Sequence, residues 1–267
     1  MPLRLAHLSD IHFGGENPTA VAAALEHLNA GAYDLIVVSG DLTRFAERRE
    51  FAQAARWLSA LKGPRLVTPG NHDAPYLAWA ERVFKPFRRF EAAIGPAAGQ
   101  TYQGSGFAVR GLNTARGAQP RLNWSKGQMA LHEARDAARW LAAVEPECVR
   151  IVACHHPLME MIGGPMTARV WNGQAAARLF AEAKVDLVLS GHIHAPFTWA
   201  YPFGDGCTYA VGAGTLSIRE RGTPASFNVV EIERAAIRIA ALAWSGSRFE
   251  PYRTWSVDRR PALVKRD

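Results

Sequence analysis

Five short runs in this chain are apolar at most successive positions: Arg4–Ser9, Asp34–Ser39, Arg65–Thr68, Val149–Cys154 and Asp186–Ser190. A strand with apolar side chains on both pleat faces has no face to offer water, so each run predicts a strand covered on both sides. Helical spacing fills the intervals. Asn17 and Pro18 give a cap and first-turn signal ahead of Val21, Ala24, Leu25 and Leu28, and Phe51, Ala54, Ala55, Leu58 and Leu61 share one helix face. Ser125 predicts the cap of a helix over Lys126–Val144, with Met129, Ala137, Trp140 and Leu141 inward, and Asn172 predicts the cap of a helix through Ala183. From Phe197 the period changes to two, in Cys207–Val211, Ser226–Ile232 and Ile237–Trp244. Alternating β and α followed by a β-rich end predicts an α/β fold of two packed sheets with helices outside them.

No repeat or low-complexity linker divides the 267 residues, which read as one domain: site motifs at 10–194, then a β-rich part at 197–257. The N-terminus has no charged segment, long apolar stretch or cleavage site, and no run approaches the roughly 20 apolar residues that span a bilayer. Cys148, Cys154 and Cys207 lack CxxC spacing and read as reduced thiols, so a cytoplasmic location without a membrane span is expected. The net charge of +7 suits an anionic substrate, nucleic acid or an acidic surface without choosing among them. His7 is expected to pack or bond locally, and His27 and His132 to lie on helix surfaces.

Each apolar run ends in polar residues of metal-ligand type: Asp10-Ile11-His12, Gly40-Asp41, Gly70-Asn71-His72-Asp73, His155-His156-Pro157 and Gly191-His192-Ile193-His194. Six of the nine histidines fall in these clusters, which scattered turns would not explain. Ligands bind beyond the carboxyl ends of strands in α/β sheets, so the five loops can meet at one site. Carboxylate, imidazole and carboxamide without thiolate suit manganese, iron, zinc or cobalt, and some seven donors exceed one tetrahedral ion, which points to a two-metal centre.

In this order on these strand ends, DxH, GD, GNHD, HxP and GHxH resemble the calcineurin-like metallophosphoesterase superfamily. Gly214-Thr215 and Ser226-Phe227-Asn228 resemble its bacterial cyclic nucleotide and glycerophosphodiester phosphodiesterase branch. The resemblance implies a four-layer αββα sandwich of two mixed sheets and phosphoester hydrolysis by hydroxide generated at a binuclear centre. It also implies that Asp10, His12 and His194 hold one ion, Asn71, His155 and His192 the other, and that Asp41 bridges them. His72 would then act on a phosphate oxygen or the leaving group, with Asp73 orienting it or merely capping the next turn. His156 is expected behind the ligands or facing substrate, and Arg169 and Trp171 in a loop able to close over a substrate. A small phosphodiester is the expected substrate. A phosphomonoesterase, a nuclease and an inactive scaffold are the alternatives, nucleic acid being disfavoured because few residues remain for a DNA-binding region. The basic tail of Arg259, Arg260, Lys265 and Arg266 is expected to be solvated.

Overall fold

The computed structural model describes residues 2–160 and 170–260. In chain order its elements are β1 (Leu3–Leu8), α1 (Pro18–Ala30), β2 (Leu35–Ser39), α2 (Arg48–Ala60), β3 (Arg65–Thr68), the short α3 (Trp79–Phe84) and α4 (Arg88–Ala93), and the hairpin β4 (Thr101–Gly104) and β5 (Phe107–Gly111). There follow α5 (Leu131–Ala142), β6 (Val149–Ala153), α6 (Gly173–Glu182), β7 (Leu187–Ser190), β8 (Phe197–Ala200), β9 (Tyr209–Gly212), β10 (Ser226–Ile232), β11 (Ala236–Trp244) and β12 (Phe249–Asp258).

Twelve strands form two mixed six-stranded sheets, ordered β12-β11-β10-β1-β2-β3 and β4-β5-β6-β7-β9-β8. Alternation along each strand explains why both faces had to be apolar. Leu5, Leu35 and Val37 meet Val109, Ile151 and Leu189 in the layer between the sheets. Their neighbours Ala6, Ile36 and Val38 pack outward with Leu28, Phe51 and Trp57, and Val152 and Val188 pack outward with Leu141 and Phe180. Three apolar layers between four structural layers make the αββα sandwich. The parallel strands β1–β3 and β5–β7 then deliver all five polar clusters to one end of it.

Two helix starts differ from the sequence expectation. α5 begins at Leu131 because Gln128 N–H donates to the Thr114 carbonyl and Met129 N–H to the Trp171 carbonyl, so this stretch pairs with distant loops instead of turning. Asn172 precedes α6 in a left-handed conformation, and its amide donates to the Met129 carbonyl rather than capping. The expectation of a solvated tail fails for Arg259 and Arg260. Arg260 donates to Asp186, Asp205 and Thr208, and Arg259 to the Glu233 and Glu147 carbonyls, because the end of β12 passes the loops that lead into the strands of the second sheet. Lys265 and Arg266 lie outside the described residues. His7 is buried and bonded to Ser39, His132 is exposed, and His27 is half-buried against Phe227 and Phe249.

Candidate metal centre

The loops that close the strands are unusually bent. Among the described residues eight non-glycines have positive φ, and five of them are Asp10, His12, Asp41, His192 and His194. Such conformations persist where surrounding contacts over-determine them, and they concentrate at functional sites. Two glycines permit the approach. A Cβ at Gly191 would overlap Ser9 Oγ and Asp10 Oδ2, and one at Gly40 would lie 2.7 Å from His155 Nδ1.

These bends bring the chain's carboxylates and imidazoles into one buried cage. His194 Nε2 lies 3.1 Å from Asp10 Oδ1 and 3.3 Å from His12 Nε2, while His155 Nε2 lies 3.3 Å from Asp41 Oδ2. His12 Nε2 is 3.7 Å from both Asp10 Oδ1 and Asp41 Oδ2, so Asp41 stands between the two groups of imidazoles. Each carboxylate spends its other oxygen on a backbone donor: His192 N–H to Asp10 Oδ2 and His72 N–H to Asp41 Oδ1, both at 2.8 Å. The imidazoles are oriented from behind in the same way. Nδ1–H of His12, His155 and His194 donates to the Thr43, Ser39 and Arg219 carbonyls, which turns each Nε2 inward.

The donor set fits a pair of cations. Asn71 Oδ1 and His192 Nε2 are buried and make no hydrogen bond, nor do Asp10 Oδ1 and His155 Nε2 despite their close ion-pair partners. Single buried polar atoms without a hydrogen bond occur elsewhere in the chain, but four converging on one cage, all of metal-ligand type, are what bound ions would satisfy. Burial alone would raise the Asp41 pKa, but the charges of His155 and His72 hold its carboxyl below the usual range. Burial likewise opposes a charged His155, yet Asp41 and Asp10 overcome it and carry that imidazole up to about 9. The cage draws in positive charge. His192 differs: burial, and then the charge of His155, lower it to about 3, leaving a neutral imidazole with a lone pair to give.

The remaining expected site residues are placed as follows. His72 is at the cage edge, its ring 4.8 Å from that of His12, with Nδ1–H donating to the Arg44 carbonyl at 2.7 Å. The Asp73 carboxylate does not orient it. Instead it accepts from Leu42 N–H, Thr43 N–H, Thr43 Oγ1–H and Gly70 N–H, binding the second and third loops together. Burial and the neighbouring Asp41 lift its pKa to about 6. His156 is buried, with Nε2–H donating to the Ser125 carbonyl and Nδ1 bonded to Thr114 Oγ1, so it braces the 122–125 loop. Trp171 packs on the Arg121 guanidinium and lines a depression with Leu158 and Met159 that shares no lining residue with the cleft over the cage. Arg169 lies outside the described residues.

A cleft of about 750 Å³ opens over Asp41, Asn71, His72, His192 and His194. Its walls include residues that the sequence reading passed over: Arg44, Tyr76, Trp124, Arg219 and Arg221. A signal for the last two was available. β9 is a further strand end, where Thr215 Oγ1–H donates to the Asp10 carbonyl, and the Arg219-Glu220-Arg221 run follows. Tyr76 stacks on His72, and the Arg219 guanidinium lies 3.5 Å from His72 Nε2.

A bacterial relative, a glycerophosphodiester phosphodiesterase from Enterobacter lignolyticus, is 35% identical over 82 residues, which span 26% of this chain and 29% of that protein. A probable cyclic nucleotide phosphodiesterase from Synechococcus is 25% identical over 249 residues, covering 87% of this chain and 89% of that one. The fold superposes on a dimetal phosphatase from Danio rerio with a TM-score of 0.72 at 10% identity, covering 97% and 99% of the two chains. It also superposes on a purple acid phosphatase from yellow lupin with a TM-score of 0.69 at 12% identity, covering 97% and 54%. Residues 3–196 match the family described as calcineurin-like phosphoesterase, and with that match over the five strand-end motifs the chain belongs to this family.

Proposed function

We propose that this protein is a phosphodiesterase that hydrolyses a small phosphodiester at a pair of transition-metal ions, manganese, iron, zinc or cobalt. The observation that carries the reading is the inward set of Asp10 Oδ1, Asn71 Oδ1, His155 Nε2 and His192 Nε2, none of them hydrogen-bonded, beneath an arginine-walled cleft. Asp10, His12 and His194 would hold one ion, Asn71, His155 and His192 the other, with Asp41 shared between them. Bound there, the ions would polarise the phosphoryl oxygens and supply a water acidic enough to attack at neutral pH.

The chain's own groups supply the rest. Arg44, Arg219 and Arg221 give the cleft a positive wall for the phosphate. His72, fixed by the Arg44 carbonyl and by Tyr76, presents Nε2 to the cleft; burial lowers its pKa from 6.5, so the imidazolium that would protonate the departing alkoxide is the form that acidification and a bound phosphate's negative charge favour. A cleft of about 750 Å³ leaves room for two ester arms, and both bacterial relatives carry phosphodiesterase names. Cyclic nucleotides and glycerophosphodiesters are therefore the substrates to test first, in a cytoplasmic setting.

The test pairs metal analysis with a panel of mono- and diesters. We expect two ions per chain and faster turnover of diesters. In Asp41→Ala at least one ion should be lost together with activity, while added metal still supports a native thermal transition. Two tightly held ions and normal turnover in that variant would refute the shared role of Asp41, and a panel dominated by monoesters would refute the diester assignment.

A further inference from the structure

The cleft opens through a lip that packing does not require to be apolar. Three segments build it: 76–84, running from the Asn71–Asp73 turn into α3, then 122–124, and Ile218 beside Arg219. Of ten large apolar side chains exposed among the described residues, eight fall in these segments. Leu77 is 87% exposed, Trp79 71% and Phe84 77%, and Leu122 is fully exposed. Contiguous apolar surface on a monomer marks an interaction site far more often than an accident of composition. Tyr76, Trp79, Leu122 and Trp124 line the cleft, but Leu77 and Phe84 do not, so a small substrate seated there gives these two nothing to cover them.

The charges beside the lip narrow the occupant. Lys85 and Arg88 are exposed next to Phe84, and Arg44 and Arg219 are exposed within the cleft. Of the nearby acids, Glu81 pairs with Arg89 and Glu220 accepts from the Ala225 N–H, while Glu91 is exposed one helical turn beyond Arg88, so Lys85, Arg88, Arg44 and Arg219 outnumber the exposed carboxylates. A second copy of the chain docked here would set these cations against themselves. An anionic lipid surface matches both features, since apolar tips enter the boundary between headgroups and acyl chains while lysine and arginine meet the phosphates.

We infer that the lip formed by 76–84, 122–124 and Ile218 docks on an anionic lipid surface, with the metal cage facing the headgroups. A phosphodiester carried in a headgroup is then the substrate brought nearest the cage. That consequence rests on the phosphodiesterase reading, whereas docking does not.

Co-sedimentation of the full chain with vesicles tests docking without any turnover. Vesicles of phosphatidylcholine mixed with phosphatidylglycerol should pellet the protein, and vesicles of phosphatidylcholine alone should not. The double substitution Leu77→Ser/Phe84→Ser should weaken lipid affinity by about tenfold or more. Lys85→Glu/Arg88→Glu should abolish the preference for anionic lipid. All four positions lie outside the cleft lining, so thermal midpoint and hydrolysis of a water-soluble diester should stay at the parent level. If the serine pair lowers the midpoint, the glutamate pair decides alone. The inference is overturned by absence of binding to either vesicle, by equal binding to both, or by binding that survives the serine substitutions. It is equally overturned if the parent is a dimer that these substitutions convert to a monomer.

Discussion

His72 reaches the cleft with its tautomer already chosen, because Nδ1–H donates to the Arg44 carbonyl and leaves Nε2 to face the Arg219 guanidinium. The contribution of its side chain is therefore separable from that of its backbone, whose N–H holds Asp41 Oδ1. His72→Ala should keep its metal, since that backbone bond survives, yet lose about 10²–10⁴ in turnover, the scale of a positioned proton donor. The loss should shrink as the leaving group becomes more acidic; an equal loss across such a series would assign His72 to phosphate stabilisation instead. His7 lies deeper, its Nε2 bonded to Ser39 Oγ at 2.9 Å in a fully buried setting. Burial lowers its pKa from 6.5 to about 3, with Asp10 opposing. The unfolded chain therefore takes up a proton between pH 6.5 and 3 that the folded chain refuses, and stability falls on acidification by up to about 1.4 kcal/mol per pH unit. His7→Gln keeps a hydrogen-bonding side chain without the proton uptake. Its thermal midpoint should decline less steeply than the parent's over that window, and parallel curves would exclude this contribution.

Strand ends do the positioning, and they work through close backbone approach. Gly191 follows β7 and lies against Ser9 and Asp10, which follow β1, so two sheets touch where the cage forms. Gly191→Ala should cost about 1–3 kcal/mol, the range for forcing atoms into a packed interior, and should weaken metal binding by displacing the Asp10 carboxylate. Denaturant midpoints and a metal titration check the two effects, and a variant matching the parent in both would mean that the contact gives way easily. This level of organisation was largely legible in the sequence, because apolar runs and the polar residues ending them are both local patterns. Leu5 and Ala6 each needed a buried face, and Asp10 and His12 followed directly. The start of α5 was not legible, since the donors of Gln128 and Met129 are taken by Thr114 and Trp171, residues distant in the chain. Nor was the work of Asp73, three of whose four donors come from the loop after β2; the cleft wall at Arg219 and Arg221 left only the fainter signal of a charged run after a further strand end.

The two sheets share an apolar interior, but a polar tie also joins them at the end of the sandwich opposite the cage, where β7 and β9 begin. Arg260, just past β12 of the first sheet, donates to Asp186 at 2.7 Å, to both oxygens of Asp205 at 2.7 and 2.9 Å, and to Thr208 at 2.9 Å, all near β7 and β9 of the second. The two acids respond differently. Hydrogen bonds from Arg260 lower Asp205 to about 2, whereas burial raises Asp186 in spite of the guanidinium. Asp205 therefore contributes stability that is fully present above about pH 4 and is lost as the pH falls toward 2. Asp186 contributes in the opposite sense, its ionised form being supported by the Arg150 N–H and by Arg260 beside it. Removing Arg260 takes from that buried carboxylate the cation it pairs with, leaving it the Arg150 N–H, so Arg260→Ala should cost about 2–3 kcal/mol at pH 7. This is less than for a fully buried pair, because Asp205 is half exposed. Urea unfolding measures the loss. Arg260→Ala/Asp186→Asn should recover part of it, since an amide needs no counter-charge, and acidification from pH 4 to 2 should destabilise Arg260→Ala less than the parent. An Arg260→Ala chain as stable as the parent at pH 7 would show that the sheets hold together on apolar packing alone.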